Sequence, residues 1–341
     1  MEINKIYQEP CLDTLRKMPD CYIDCVITSP PYWQLRDYGY PEQWGLEPTF
    51  QEYLEHLWQM MDEIYRVLKP TGTVWINLGD TYNSGGNTRS NKDGQSEGLI
   101  KHEYLQNTGF TKSDIKLNGK PKCLLLIPHR FAIGCIDRGW VVRNDIIWAK
   151  RNGMPESVTD RFSKKHEYIF FMAKQEKYYF DLDSVRDKIS EVSYKRYEYQ
   201  FTGQEGGNSN NFKGNKKYLT RGNQNYSAAF LGSPQRDTNG GFPTHNPKGK
   251  NPGDVSDFWD IMTKPSRNEH YASYNDELIR KPVLAGCPEG GIIYDPFMGT
   301  GSTAEAALRA NRKFIGSEMS SKYCEIAEER LNPFLMQQKL F

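Results

Sequence analysis

No stretch of this sequence is long and apolar enough to span a bilayer. Its longest uninterrupted apolar runs cover only residues 123–127 and 168–173, against the roughly 20 residues a spanning helix needs. The opening residues, MEINKIYQEP, have no apolar core of a secretory signal. The seven cysteines include no CxxC pair; Cys21 and Cys25 stand four apart, with no second pair to complete a zinc site. A scattered, odd set of this kind is expected to stay reduced in a cytoplasmic protein. His129, His166 and His270 lie far apart in the sequence, and no metal site is expected. No internal repeat is present, and neither charge is in excess. Lys and Arg number 44 against 43 Asp and Glu, a net charge of +1, which excludes a uniformly basic protein but not a local basic patch. What is there suffices for a sizeable core. The 341 residues are 37% hydrophobic and 26% charged, which excludes a disordered polymer and predicts one large domain with insertions, or two domains.

Along the chain the apolar pattern predicts strands alternating with helices. Residues 22–28 form the first strand candidate, stopped by Pro30 and Pro31, because two prolines cannot continue a central strand. Thr49 and Glu52 have the spacing of a capping box. Leu54, Leu57, Trp58, Met61, Ile64, Tyr65 and Leu68 then recur at three- and four-residue intervals, an apolar helix stripe. Lys69 to Gly72 should stop that helix, and residues 73–78 make the next strand. Residues 83–122, rich in Asn, Ser, Gly and Lys, are expected to be a long mobile loop. A helix over 128–138 and strands at 140–148 and 167–173 follow, then 186–251, where no period is clear. That segment holds eleven Lys/Arg against five Asp/Glu, about +6 in a chain of +1, and is either a loop-rich subdomain or a disordered insertion. Order returns near Phe258. A strand at 291–295, a helix from Ser302 (with Glu305 in a second capping-box pattern) to about 310, a strand at 313–318 and a helix over 321–331 close the chain. The alternation predicts an α/β fold with a doubly wound, mostly parallel sheet.

Two motifs carry chemistry. The first is Asp295-Pro-Phe-Met-Gly299-Thr-Gly301, a strand that turns through glycines into a helix. Such a turn lets a ligand approach the backbone, and the helix N-terminus suits a carboxylate or phosphate. Glu318 ends the next strand, where a carboxylate can accept hydrogen bonds from a ribose diol. Ala304 stands where nicotinamide enzymes carry their third glycine, so that letter does not exclude them. Asp295 argues against them, since an acid before the glycines repels a pyrophosphate but suits the cationic end of S-adenosylmethionine. The second motif is Thr28-Ser29-Pro30-Pro31-Tyr32-Trp33. Prolines lack N–H groups, so the segment presents acceptors only. With the Ser29 hydroxyl and the Tyr32 ring it offers acceptors for an exocyclic NH2 and a face on which a planar base can stack. Accepting those N–H bonds out of plane localises the amino lone pair and makes the nitrogen a nucleophile towards a sulfonium methyl.

On these residues the sequence resembles the exocyclic-amino DNA methyltransferases in the permuted arrangement called β. In that family the catalytic half comes first, a target-recognition segment follows, and the S-adenosylmethionine half comes last. Its (S/D/N)-P-P-(Y/F/W) motif falls on Ser29, Pro30, Pro31 and Tyr32, its D-P-F-x-G-x-G on Asp295 to Gly301, and its ribose-binding acid on Glu318. The segment 270–278 resembles the stretch preceding the glycine motif; 152–161 with His166, Glu167 and Tyr168 resembles the loop and strand before the recognition region. The resemblance implies a circularly permuted methyltransferase domain in three parts: a catalytic half at 1–185, a recognition insertion at 186–255 and a cofactor half at 256–341. It implies Ser29, Pro30, Pro31 and Tyr32 as catalytic residues, and Asp295, Phe297, Gly299, Thr300, Gly301, Ser302 and Glu318 around S-adenosylmethionine. One departure stands out. The family often has Gly-Asp-Cys near its N-terminus, where this chain has Glu9-Pro10-Cys11, so the adenine-side acid is not carried over.

The implied substrate is double-stranded DNA, with the target base flipped from the stack because its amino group is otherwise paired. Ser29 in place of Asp favours N4 of cytosine over N6 of adenine in the family pattern. Lys195, Arg196, Lys216, Lys217, Arg221 and Arg236 of the basic segment are the candidate phosphate or groove contacts. A cognate restriction endonuclease fits such an enzyme, as a monomer or homodimer. The rivals are a methyltransferase of RNA or protein and an inactive nucleic-acid-binding protein on the same scaffold; intact motifs and Ser29 argue against them.

Overall fold

In the computed structural model, residues 1–83, 120–153, 156–186, 257–262 and 276–338 are described. Among them one eight-stranded sheet is built from β1 (Lys5–Tyr7), β2 (Ile23–Thr28), β3 (Leu68–Leu78), β4 (Val141–Ala149), β5 (His166–Ala173), β6 (Phe258–Asp260), β7 (Ile292–Asp295) and β8 (Lys313–Ser317), in the order β1-β8-β7-β2-β3-β5-β4-β6. The pairs are parallel except β3 with β5 and β5 with β4, so the expected doubly wound, mostly parallel sheet is present. The helices are α1 (Cys11–Lys17), α2 (Phe50–Val67), α3 (Ile127–Asp137), α4 (Asp276–Gly286), α5 (Ser302–Arg309) and α6 (Ser321–Gln338). The chain divides into two units. Met1–Phe180 with Asp257–Phe341 holds the sheet and these helices; of Asp181–Ser256 a short 3-10 turn, Asp183–Val185, is described.

Alternation along the strands decides which residues face which helices. From β2, Val26 joins the core under α1, α2 and α3, while Cys25 and Ile27 join the core under α4, α5 and α6; Ile23 shares the side of Val26 because a register irregularity between Ile23 and Cys25 breaks the alternation there. β2 is buried along its whole length, as a central strand covered on both faces must be. Its one acid, Asp24, has partners: Lys69 Nζ reaches both oxygens at 2.8 Å, and the Ile292 N–H donates at 2.9 Å.

The sheet's winding reverses between β2 and β7. They are parallel neighbours (Cys25 opposite Ile293, Val26 opposite Tyr294), yet β2 leads on to β3 on one side and β7 to β8 on the other. The crevice at the carboxyl ends of such a pair is where open α/β sheets bind ligands. Both sequence motifs start at those ends.

Several expectations need correction. β3 starts at Leu68 instead of Thr73. A register irregularity opposite Ile23–Cys25 and the exposure of Pro70 let a proline sit in the strand. The capping box at Ser302 does not form: Gly301 occupies the cap position, the Ser302 hydroxyl accepts from Arg330 at 2.9 Å, and Glu305 pairs with Arg309 and Arg330. Thr49 does cap α2, accepting from the Glu52 N–H at 3.2 Å. The sequence reading missed β1, α1, β6 and α4. The loop expected at 83–122 lies almost wholly outside the described residues, but its ends are tied together by Asn83 N–H to Cys123 O and Lys122 N–H to Asn83 O, each 2.8 Å.

Candidate active site

β2 ends at Thr28 and β7 at Asp295, side by side. The Thr28 hydroxyl donates to Asp295 Oδ1 at 2.6 Å, the Phe297 N–H donates to the same oxygen at 3.0 Å, and the Thr303 hydroxyl donates to Oδ2 at 2.6 Å. Asp295 is therefore fully buried between the two motifs, joining the Ser-Pro-Pro-Tyr turn to the glycine turn and the first turn of α5. Burial pushes its carboxyl up to about 6, against the pull of these three donors.

The two turns open on one cavity of about 400 Å³, whose walls include Ser29, Pro30, Pro31 and Tyr32 on one side and Phe297, Gly299, Thr300, Ser302 and Glu318 on the other. Asp295 and Gly301 lie behind this wall. Trp44, from the loop after the first turn, meets Phe297 edge-on with ring centroids 5.4 Å apart and lines the same cavity. Trp33 points elsewhere: its indole N–H donates to Glu47 O at 2.9 Å, inside the core.

Within the first turn the acceptors are not equivalent. The buried Tyr53 of α2 donates its hydroxyl to Pro31 O at 2.8 Å. That leaves the Pro30 carbonyl and the Ser29 hydroxyl, whose contacts to Tyr32 and Asn77 are both 3.5 Å, too long to engage it strongly. The Tyr32 hydroxyl stands 2.8 Å from both Asn77 Oδ1 and Glu167 Oε2. Asn77 is oriented by its own donation to Tyr168 O at 3.0 Å, and Glu167 is paired with Lys150. A Cβ on Gly79 would come within 2.6 Å of the Tyr32 ring, so only glycine lets the ring lie against that backbone. Asn77, Gly79 and Lys150 were not singled out from sequence, and Glu167 was named there only as part of the strand before the recognition region; their chemistry shows only once β3, β4 and β5 set them beside the turn.

The second wall fits S-adenosylmethionine. Gly299 has φ +54°, and a Cβ there would meet nothing within 4 Å, leaving room for a ligand against the backbone. Glu318 accepts from the Gly299 N–H at 2.9 Å and the Ser320 N–H at 2.8 Å. A carboxylate has about four acceptor directions, so these backbone donors leave capacity for a further one from a ligand. Burial raises its carboxyl above the ordinary range, against the pull of backbone donors at Ser320, Gly299 and Met319. At the missing family acid, Pro10 precedes α1, and Glu9 is committed to the Thr14 hydroxyl at 2.9 Å and to Lys17. The candidate DNA contacts Lys195, Arg196, Lys216, Lys217, Arg221 and Arg236 lie outside the described residues. Among the described residues no helix is long and apolar enough to cross a membrane.

The profile of the family described as DNA methylase, with N6 and N4 targets, matches residues 23–329. The chain is 33% identical over 309 residues to the type II methyltransferase M.SmaI of Serratia marcescens, covering 90% of this chain and 84% of the relative. It is 32% identical over 335 residues to M.Cfr9I of Citrobacter freundii, covering 97% and 89%. Among solved structures, the cytosine-N4-specific PvuII DNA methyltransferase superposes with a TM-score of 0.56 at 15% identity, covering 98% of this chain and 92% of that one. A Thermus thermophilus protein described as a DNA modification methylase, complexed with S-adenosyl-L-methionine, gives 0.51 at 19% identity, covering 97% and 94%. At these identities the structural likeness is one of fold.

Proposed function

The chain belongs to the DNA methylase family of S-adenosylmethionine-dependent, exocyclic-amino type II methyltransferases, and on that premise we propose that it methylates N4 of a cytosine flipped out of duplex DNA. One observation carries the proposal: the acceptor turn at Ser29 to Tyr32 and the glycine turn at Gly299 share a single cavity. S-adenosylmethionine supplies the sulfonium methyl when bound. Phe297, Gly299, Thr300 and Ser302 would form its cradle, with Gly301 bending the chain behind it against Ala327, Glu318 towards the ribose and Asp295 holding the cradle to the catalytic turn. Ser29 and the Pro30 carbonyl accept the N–H bonds of the target amino group, drawing its lone pair out of ring conjugation. Pro31, with its carbonyl held by Tyr53, stiffens the turn. Tyr32, backed by Gly79 and tied at its hydroxyl, offers the base a fixed aromatic face. The nitrogen gains the methyl as the methyl–sulfur bond breaks, leaving a neutral thioether, and the surplus amino proton passes by way of the Ser29 hydroxyl to solvent.

Cytosine rests on Ser29. The N4 specificity of the PvuII enzyme belongs to that protein and supports the fold alone. The 186–255 segment would bind the recognition sequence through its basic residues, and a cognate endonuclease would be blocked by the modification. Nucleoside mass spectrometry on DNA from cells making the protein tests the reading. N4-methylcytosine is expected, and replacing Ser29 by Ala should slow its formation about a hundredfold, as for losing one preorganised transition-state hydrogen bond. N6-methyladenine would reassign the base; neither product would sink the reading.

A further inference from the structure

Among the described residues no large apolar side chain is as exposed as Phe162, at 96%. A lone exposed hydrophobe is ordinary. This one is held out by a braced loop. Glu156 Oε2 accepts from Arg161 on one side of it (2.6 Å) and from the Lys164 N–H on the other (3.3 Å). The Arg161 guanidinium also donates to Phe162 O at 3.1 Å and lies 4.0 Å from the centre of the Tyr82 ring. Lys164 Nζ reaches Asp80 O, and Lys150 N–H to Lys165 O, at 2.8 Å, closes the loop at its base. The loop cannot fold the ring inward without breaking these contacts.

Its place and charge say what it meets. In the chain Phe162 stands five positions before Glu167, whose carboxylate holds the Tyr32 hydroxyl at 2.8 Å. That is at most about 17 Å of chain, roughly five base steps. Residues 150–165 hold five Lys/Arg (Lys150, Arg151, Arg161, Lys164, Lys165) against two acids (Glu156, Asp160); Lys150, Arg151 and Arg161 are paired with Glu167, Asp260 and Glu156, and the basic surplus within the loop still suits a polyanion. We propose that Phe162 is a wedge: it enters the base stack of the duplex beside the target and keeps the pair open while the base sits at Tyr32. Aromatic and aliphatic side chains inserted in this way unstack neighbouring steps. The inference rests on the amino-methyltransferase reading above.

The test is single-turnover methylation with saturating S-adenosylmethionine, on a duplex carrying the site read from modified-base sequencing of DNA from producing cells. A second duplex has an abasic position opposite the target base, so the pair is already broken. Phe162→Ala should methylate the matched duplex at least tenfold more slowly than the wild type and the abasic duplex at close to the wild-type rate. Phe162→Trp should keep the matched-duplex rate. A matched-duplex rate unchanged in Phe162→Ala, or equal slowing on both duplexes, overturns the wedge and leaves the methyltransferase intact. A wild type that methylates neither duplex overturns the underlying reading, and the wedge with it.

Discussion

Asp295 shows how one carboxylate can organise a site it does not line. Three donors, from Thr28, Phe297 and Thr303, meet its oxygens in full burial, and its carboxyl rises to about 6 from an ordinary 3.8. The folded state thus holds the proton more tightly than the unfolded chain. The stabilisation this gives is complete below about pH 4 and is lost as pH rises through 6, on the order of 3 kcal/mol. Asp295→Asn cannot ionise, so its stability relative to wild type should improve from pH 4 to pH 7; urea denaturation at both pH values measures this, and a constant difference would refute the burial argument. Gly299 tests the opposite wall. Gly299→Val points side-chain bulk into the open cavity, so calorimetry should find S-adenosylmethionine binding much weakened while thermal unfolding stays cooperative. Wild-type affinity would remove the cofactor from this turn. Both motifs were legible as short strings because their chemistry is local. Asn77 and Glu167 were not, since each reaches Tyr32 from 45 and 135 residues away, and nothing in a strand's own sequence announces what its ends will face.

Elements act on the chemistry through their packing. α2 has the apolar stripe expected of it, and the stripe buries Tyr53, whose hydroxyl fixes the Pro31 carbonyl. Tyr53→Phe keeps the ring and removes that bond. About 1 kcal/mol of stability should be lost, with a several-fold slower methyl transfer at unchanged cofactor affinity. Single-turnover rates at the wild-type level would mean that the turn is stiff enough through its two prolines alone. Long periodic elements such as α2 and α3 were readable from spacing. β1 and β6, at three residues each, are too short to show a period, and α4 carries Pro282 in its interior, which reads as a breaker. The Ser302–Glu305 spacing misled for a different reason: a capping box satisfies helix donors only if nothing else claims its side chains, and Arg330 claims both.

At the scale of the whole molecule the charge is unevenly spread. Residues 186–251 carry about +6 within a chain of +1, so the remainder is near −5. A composition shift of this size was visible without any structure, as was the reversal of motif order that puts the acceptor turn before the glycine turn. The meeting of those turns was not, because it depends on β2 and β7 becoming neighbours across more than 260 residues of chain. Outside the Phe162 loop the acidic remainder should repel the phosphate backbone, leaving the basic segment to supply most of the electrostatic part of DNA affinity. Each phosphate contact releases condensed counterions, which lowers the slope of log affinity against log salt by about one. Replacing Lys216 and Lys217 together by Ala should therefore flatten that slope by up to about two units and weaken binding at low salt. Cofactor affinity should stay unchanged, because the glycine turn and Glu318 belong to the sheet-bearing unit and lie outside this segment in the sequence. Fluorescence anisotropy of a labelled duplex across a salt series, with calorimetry for S-adenosylmethionine, measures both. An unaltered slope would place these two lysines in solvent and move the phosphate contacts to other residues of the segment or to the Phe162 loop.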